Sequence, residues 1–233
     1  LVLVKLLIII YDWFRPNFLF VRTRKKRFMK KASLLAITGL FPFVVFSQPS
    51  DLLNNFLNET KQASGAFEQQ TFQKDGKPAE ELQEGTFSFS RPGKFVWTYT
   101  SPYPQRMVCD GSRIYIWDED LNQVTVRSAK GAIPKSPASI LFGTQSYKKD
   151  WNAAQPKQED GYIWITLTPK AKDASVSSVS FGFKSEKLEK LIFVGSMGEK
   201  TNLTISDLKT DVQLSPETFK FTAPKGADVI EVK

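Results

Sequence analysis

The chain has 233 residues, with 32 Lys/Arg, 24 Asp/Glu, one cysteine and no histidine. Without histidine the commonest general base and metal ligand is missing, and a single cysteine supplies neither an internal disulfide nor a zinc site. The formal charge of +8 belongs to one end: nine basic residues and one acidic residue precede Gln48, and 23 of each follow it. There is therefore no charge case for nucleic acid or for an anionic membrane surface.

The first methionine is Met29, which opens Met29-Lys-Lys and the apolar run Ala32 to Phe46. A basic start, an apolar stretch and small residues at Val45 and Ser47 make the pattern of a secretory signal peptide. The expectation is translation from Met29, cleavage after Ser47, and residues 1–28 as an upstream over-call. The competing reading is a retained membrane anchor, but Leu1 to Tyr11 falls short of the roughly 20 apolar residues that a span needs. Residues 48–233 then form a single domain.

Leu52, Leu53, Phe56 and Leu57 form one apolar stripe on a short helix, with Ser50 as its N-cap and Asp51 at its positive end. Ala66 to Gln73 reads as a strand, Lys74-Asp-Gly-Lys77 as a turn, and Gln83 to Ser90 as the next strand. Phe87 and Phe89 alternate in that arm, and Phe95, Trp97 and Tyr99 alternate in the following one. Arg91-Pro92-Gly93 is the turn between them. Turn signals then recur every eight to twelve residues or so, as in an antiparallel meander, barrel or sandwich. Residues 129–143 interrupt the pattern: Ser136 and Pro137 open a short helix whose apolar side is Ile140, Leu141 and Phe142. Further strands run through Trp151, Tyr162 to Thr168, Val176 to Lys184, Lys187 to Val194 and Lys200 to Leu208. Pro216 to Phe221 and Val229 to Val232 close the set. The total is about eleven strands, enough for a twisted sheet to curl.

No catalytic constellation emerges. The carboxylates cluster in turns such as Asp118-Glu119-Asp120, and Cys109 lies in a strand, where a buried small hydrophobe is the ordinary role. What stands out is aromatic surface around one hairpin. It either fills a core or walls a cavity for an apolar ligand, and composition alone leaves both open.

Phe87-x-Phe-x-Arg-Pro-x-x-Phe-x-Trp97 resembles the strand–turn–strand segment of the periplasmic outer-membrane lipoprotein carriers, the LolA family. Ala63 to Gln70, Val108-Cys-Asp-Gly-Ser112, Leu167-Thr-Pro-Lys170 and Phe219-x-Phe-x-x-Pro-x-Gly226 resemble further landmarks in the same order. The resemblance implies a mainly β fold with short helices: an unclosed antiparallel β-barrel capped by an α-helical lid over an apolar cavity. It also implies that the cavity takes lipoprotein acyl chains. These are released by an ATP-driven inner-membrane transporter and handed to an outer-membrane lipoprotein acceptor. No cofactor and no enzyme activity are expected, and the carrier is expected to be a monomer. On this reading Arg91 bonds to the lid in the empty form. Phe87, Phe89, Phe95, Trp97 and Tyr99 line the cavity from the sheet, and Leu53, Phe56, Ile140 and Leu141 line it from the lid. The chain has Gly93 and Lys94 inside the motif and a proline-rich lid segment. Rival readings are a carrier or sensor for another amphiphile, such as a glycolipid or acyl ester. A lipidated receptor would need a cysteine after the apolar run, and none is there.

Overall fold

The computed structural model describes residues 52–132, 138–142, 146–172 and 174–232. The expected leader, the Ser50 cap and the Ser136–Pro137 helix start lie outside these residues. In chain order the elements begin with α1 (Leu52–Glu59), β1 (Gln62–Phe72), β2 (Gln83–Ser90) and β3 (Lys94–Ser101). Next come β4 (Gln105–Asp110), β5 (Arg113–Asp118), β6 (Gln123–Ser128), α2 (Ala129–Ala132) and α3 (Ala138–Phe142). The second half holds β7 (Trp151–Ala153), β8 (Lys157–Glu159), β9 (Tyr162–Pro169), β10 (Val176–Lys184), β11 (Lys187–Gly195), β12 (Lys200–Lys209) and β13 (Asp228–Val232).

One sheet contains all thirteen strands, in the order β13-β6-β5-β4-β3-β2-β1-β12-β11-β10-β9-β7, with β8 on β9. Two meanders, β1–β6 and β7–β12, are joined where β1 pairs antiparallel with β12. The outermost strands β13 and β7 are not neighbours, so the sheet curls without closing. Alternation decides which way it curls. Phe67 of β1, Phe87 and Phe89 of β2, Phe95 and Tyr99 of β3, and Val179, Phe181 and Phe183 of β10 all enter one buried cluster. An antiparallel sheet needs only one covered face, and here the concave face is covered by the sheet's own far side and by α1 and α3.

Four expectations are corrected. The sheet has thirteen strands rather than about eleven, partly because Lys157–Glu159 pairs with β9 although all three residues are exposed. Pro216–Phe219 is a 3-10 turn, not a strand. Pro216 stands in its first turn, and the Ser215 hydroxyl accepts from the Glu217 N–H. That turn drives Phe219 onto Val96 and Val108 on the convex face, forming a second, smaller core. Finally, β13 joins β6 in parallel, so the sheet is not wholly antiparallel. The first strand also starts earlier than expected, at Gln62. Pairing with β2 from Gln62↔Ser90 onward holds these small polar residues extended.

Cys109 is fully buried in β4. Burial pushes its thiol up from 9.0 to about 11. The folded chain thus holds the proton that the unfolded chain sheds first. The associated stability is intact below pH 9 and declines as pH rises from there through about 11. Iodoacetamide at pH 8 is expected to leave the native protein unmodified and to alkylate it fully in urea. Mass spectrometry reads both, and rapid native labelling would contradict the buried assignment.

Candidate functional site

The turn from β2 to β3 places one arginine where two helices end. Arg91 Nε donates to the Leu141 carbonyl of α3 at 2.6 Å. Its Nη1 donates to the Leu57 carbonyl at 3.1 Å and the Phe56 carbonyl at 3.4 Å, both in α1, and to the Thr60 carbonyl just beyond. Phe56, Leu57 and Leu141 lie in the last turns of their helices, where carbonyls begin to run out of intrahelical donors; the Phe56 carbonyl also accepts from the Thr60 N–H at 3.1 Å. A cation is also favoured at the negative end of a helix dipole. The same turn contributes its backbone: Arg91 N–H donates to the Lys61 carbonyl at 2.8 Å, and Gly93 N–H to the Phe142 carbonyl at 2.7 Å. Gly93 reaches that carbonyl with φ at +76°, a conformation glycine adopts without Cβ strain.

The guanidinium is sandwiched as well as bonded. Its carbon lies 4.7 Å from the Phe89 ring centroid and 5.4 Å from that of Phe56. Burial lowers the Arg91 pKa to about 10, which leaves it cationic at neutral pH. Its Nη2 is enclosed and has no hydrogen-bond partner among the described residues.

Beneath this junction is a hollow of about 20 Å³. That is room for about one water. Of the residues expected there, Phe87, Phe89 and Trp97 line it from the sheet, and Phe56 and Leu141 from the helices. Phe95, Tyr99, Leu53 and Ile140 do not line it; they are buried in the surrounding core. Phe95 is covered by Phe142, whose ring stacks on it at 4.7 Å between centroids and tilts against Phe89 at 5.5 Å. Phe67 lies over Trp97 at 4.3 Å and meets Tyr99 edge-on at 5.3 Å.

Sequence reasoning missed half the lining: Phe142, Leu188, Leu191, Ile205 and Leu208. The last four belong to β11 and β12, where apolar strand residues read as plain core. Only the β1–β12 pairing brings those strands beside the aromatic hairpin.

The fold and the site together are those of an unclosed β-barrel with helices tied over an apolar concave face. The family model "Outer membrane lipoprotein carrier protein LolA" matches residues 58–222. The outer-membrane lipoprotein carrier protein of Cupriavidus pinatubonensis is 38% identical over 210 residues, spanning 89% of this chain and 99% of that protein. The namesake from Cupriavidus necator is 41% identical over 184 residues, 78% of this chain and 87% of the relative. Among solved structures, an uncharacterized conserved protein from Thermus thermophilus superposes with a TM-score of 0.51 at 12% identity, covering 78% of this chain and 98% of the other, a likeness of fold alone. The chain belongs to the LolA family of outer-membrane lipoprotein carrier proteins.

Proposed function

We propose that the protein is a periplasmic carrier for lipoproteins. It shelters acyl chains of lipoproteins released from the inner membrane by an ATP-driven transporter, and passes them to an outer-membrane acceptor. It acts as a monomer and as a carrier, not an enzyme. The mature chain begins at Gln48 after removal of the signal peptide. The observation that carries this reading is the tie from Arg91 to both α1 and α3 over an apolar hollow.

The energetics suit a carrier. Burying each methylene contributes about 0.8 kcal/mol, so an exposed apolar cavity would hold acyl chains too tightly to release them. Here the cavity opens only when the helices leave, and cargo affinity is reduced by the closure free energy. Arg91 sets that closure. Phe56 and Leu141 fill the empty cavity from the lid, while Phe87, Phe89 and Trp97 form its permanent wall. Phe95, Tyr99, Leu53 and Ile140 support these surfaces from behind.

Purified protein incubated with inner-membrane spheroplasts is expected to extract lipoproteins into the supernatant, where mass spectrometry identifies them in a soluble complex. Recovery of ligand-free protein together with no extraction would refute the carrier reading. A soluble complex holding only glycolipid or another amphiphile would move the assignment to that cargo.

A further inference from the structure

We infer that Arg91 also recognises the cargo: its guanidinium binds the ester carbonyl oxygens where acyl chains join their glyceryl head. The inference rests on the carrier reading and assigns a polar subsite within it. None of the side chains lining the hollow is charged. Such a wall would accept any hydrocarbon, including one that is not cargo. The charged group at its edge is the Arg91 guanidinium, which lies against Phe56 and Phe89, both lining residues.

The acceptors Arg91 uses in the closed form are neutral carbonyl oxygens, those of Leu141, Leu57, Phe56 and Thr60. An ester carbonyl offers the same kind of oxygen. When the helices leave, Nε and Nη1 lose their partners beside the cavity, and an acyl ester can replace them one for one. Nη2, enclosed without a partner among the described residues, is a further donor already in place. Buried donors are nearly always satisfied, so an orphan on a guanidinium packed against two residues of the hollow's wall points to an acceptor on the ligand. Lid closure and cargo binding then compete for the same donors. Loading exchanges one set of charge-assisted bonds for another, and release exchanges them back.

The test compares two lipids of equal chain length, a diacylglycerol and its dialkyl ether, by displacement of a fluorescent acyl probe from the mature protein. The wild type is expected to bind the ester about tenfold more tightly, the value of one hydrogen bond to a charged donor. In Arg91→Leu both lipids are expected to bind more tightly and the ester preference to disappear. Equal wild-type affinities, or a preference that survives in Arg91→Leu, would overturn the inference. So would tighter wild-type binding of the matching free fatty acid, which would make the site a carboxylate site. Failure of both lipids to displace the probe would count against the carrier reading itself. A second measurement needs no variant. In the infrared spectrum of the wild-type complex, the ester carbonyl band is expected below its frequency in hydrocarbon solution. An unshifted band contradicts the assignment.

Discussion

Arg91→Leu is expected to bind an acyl probe about a hundredfold more tightly than the wild type and to surrender its cargo more slowly. The substitution deletes the donors to the Leu141, Leu57, Phe56 and Thr60 carbonyls. Hydrogen bonds to a charged donor contribute about 1.5–3 kcal/mol each, and the freed carbonyls recover part of that from water, leaving a net loss of about 3 kcal/mol. A shift of about 3 kcal/mol in closure is roughly a factor of a hundred in the open population. Apparent cargo affinity rises by the same factor while the open form remains the minor one. The sheet keeps its core, so increased hydrogen exchange is expected in α1 and α3 and not in β10 or β11. Arg91→Lys retains the charge, but its compact ammonium lacks the planar fork that serves both helix ends, and an intermediate effect is expected. Probe affinity and transfer rate equal to wild type in Arg91→Leu would remove Arg91 from any role in closure.

Gly85→Ala is expected to lower stability by about 3 kcal/mol or more, at the upper end of overpacking effects. Gly85 lies in β2 opposite Phe67 of β1 and Tyr99 of β3. A Cβ built there would overlap the Thr98 carbonyl oxygen and come within 2.6 Å of the Phe67 ring. The ring could shift, but it is held between Trp97 and Tyr99. The carbonyl cannot shift without breaking the sheet. For a chain of this size the loss corresponds to a melting temperature lower by roughly 6–12 °C. Gly65→Ala provides the comparison: its Cβ would meet the Phe87 ring at 2.9 Å and the Ser206 carbonyl at 3.0 Å, and a smaller drop is expected. Circular-dichroism melts measure both. A Gly85→Ala melt within about 2 °C of wild type would show that the β2–β3 backbone yields to the added methyl group.

The aromatic hairpin was the most legible part of the fold. Period-two alternation fixes which side chains share a face, and the register pairs Phe87 with Trp97 and Phe89 with Phe95. Ile140 and Leu141 were legible because so short a helix must bury its apolar side elsewhere. The position of Arg91 came from likeness to a family, since a turn arginine carries no local sign of the carbonyls it will meet. The contribution of β11 and β12 to the hollow could not be read from alternation. Leu188 and Ile205 look like any core residue, and only the folded register puts them on the wall of the hollow. Lys157–Glu159 has no apolar alternation, and the paired backbone of β9 alone makes it a strand. Phe219 and Phe221 imitate a strand's alternation, yet Pro216 and the Ser215 cap favour a turn that the outer face then stabilises.

The unpaired ends of the sheet have a mechanical meaning. In a closed barrel the radius is set by strand number and shear, and widening it breaks ladder hydrogen bonds. Here β13 and β7 are not bonded to each other, and the sheet can flatten through small changes in twist between neighbouring strands. No backbone bond need be lost. For the carrier proposed above, a sheet free to flatten would add yielding walls to a lid that lifts, and the capacity would then follow the number and length of the acyl chains taken up.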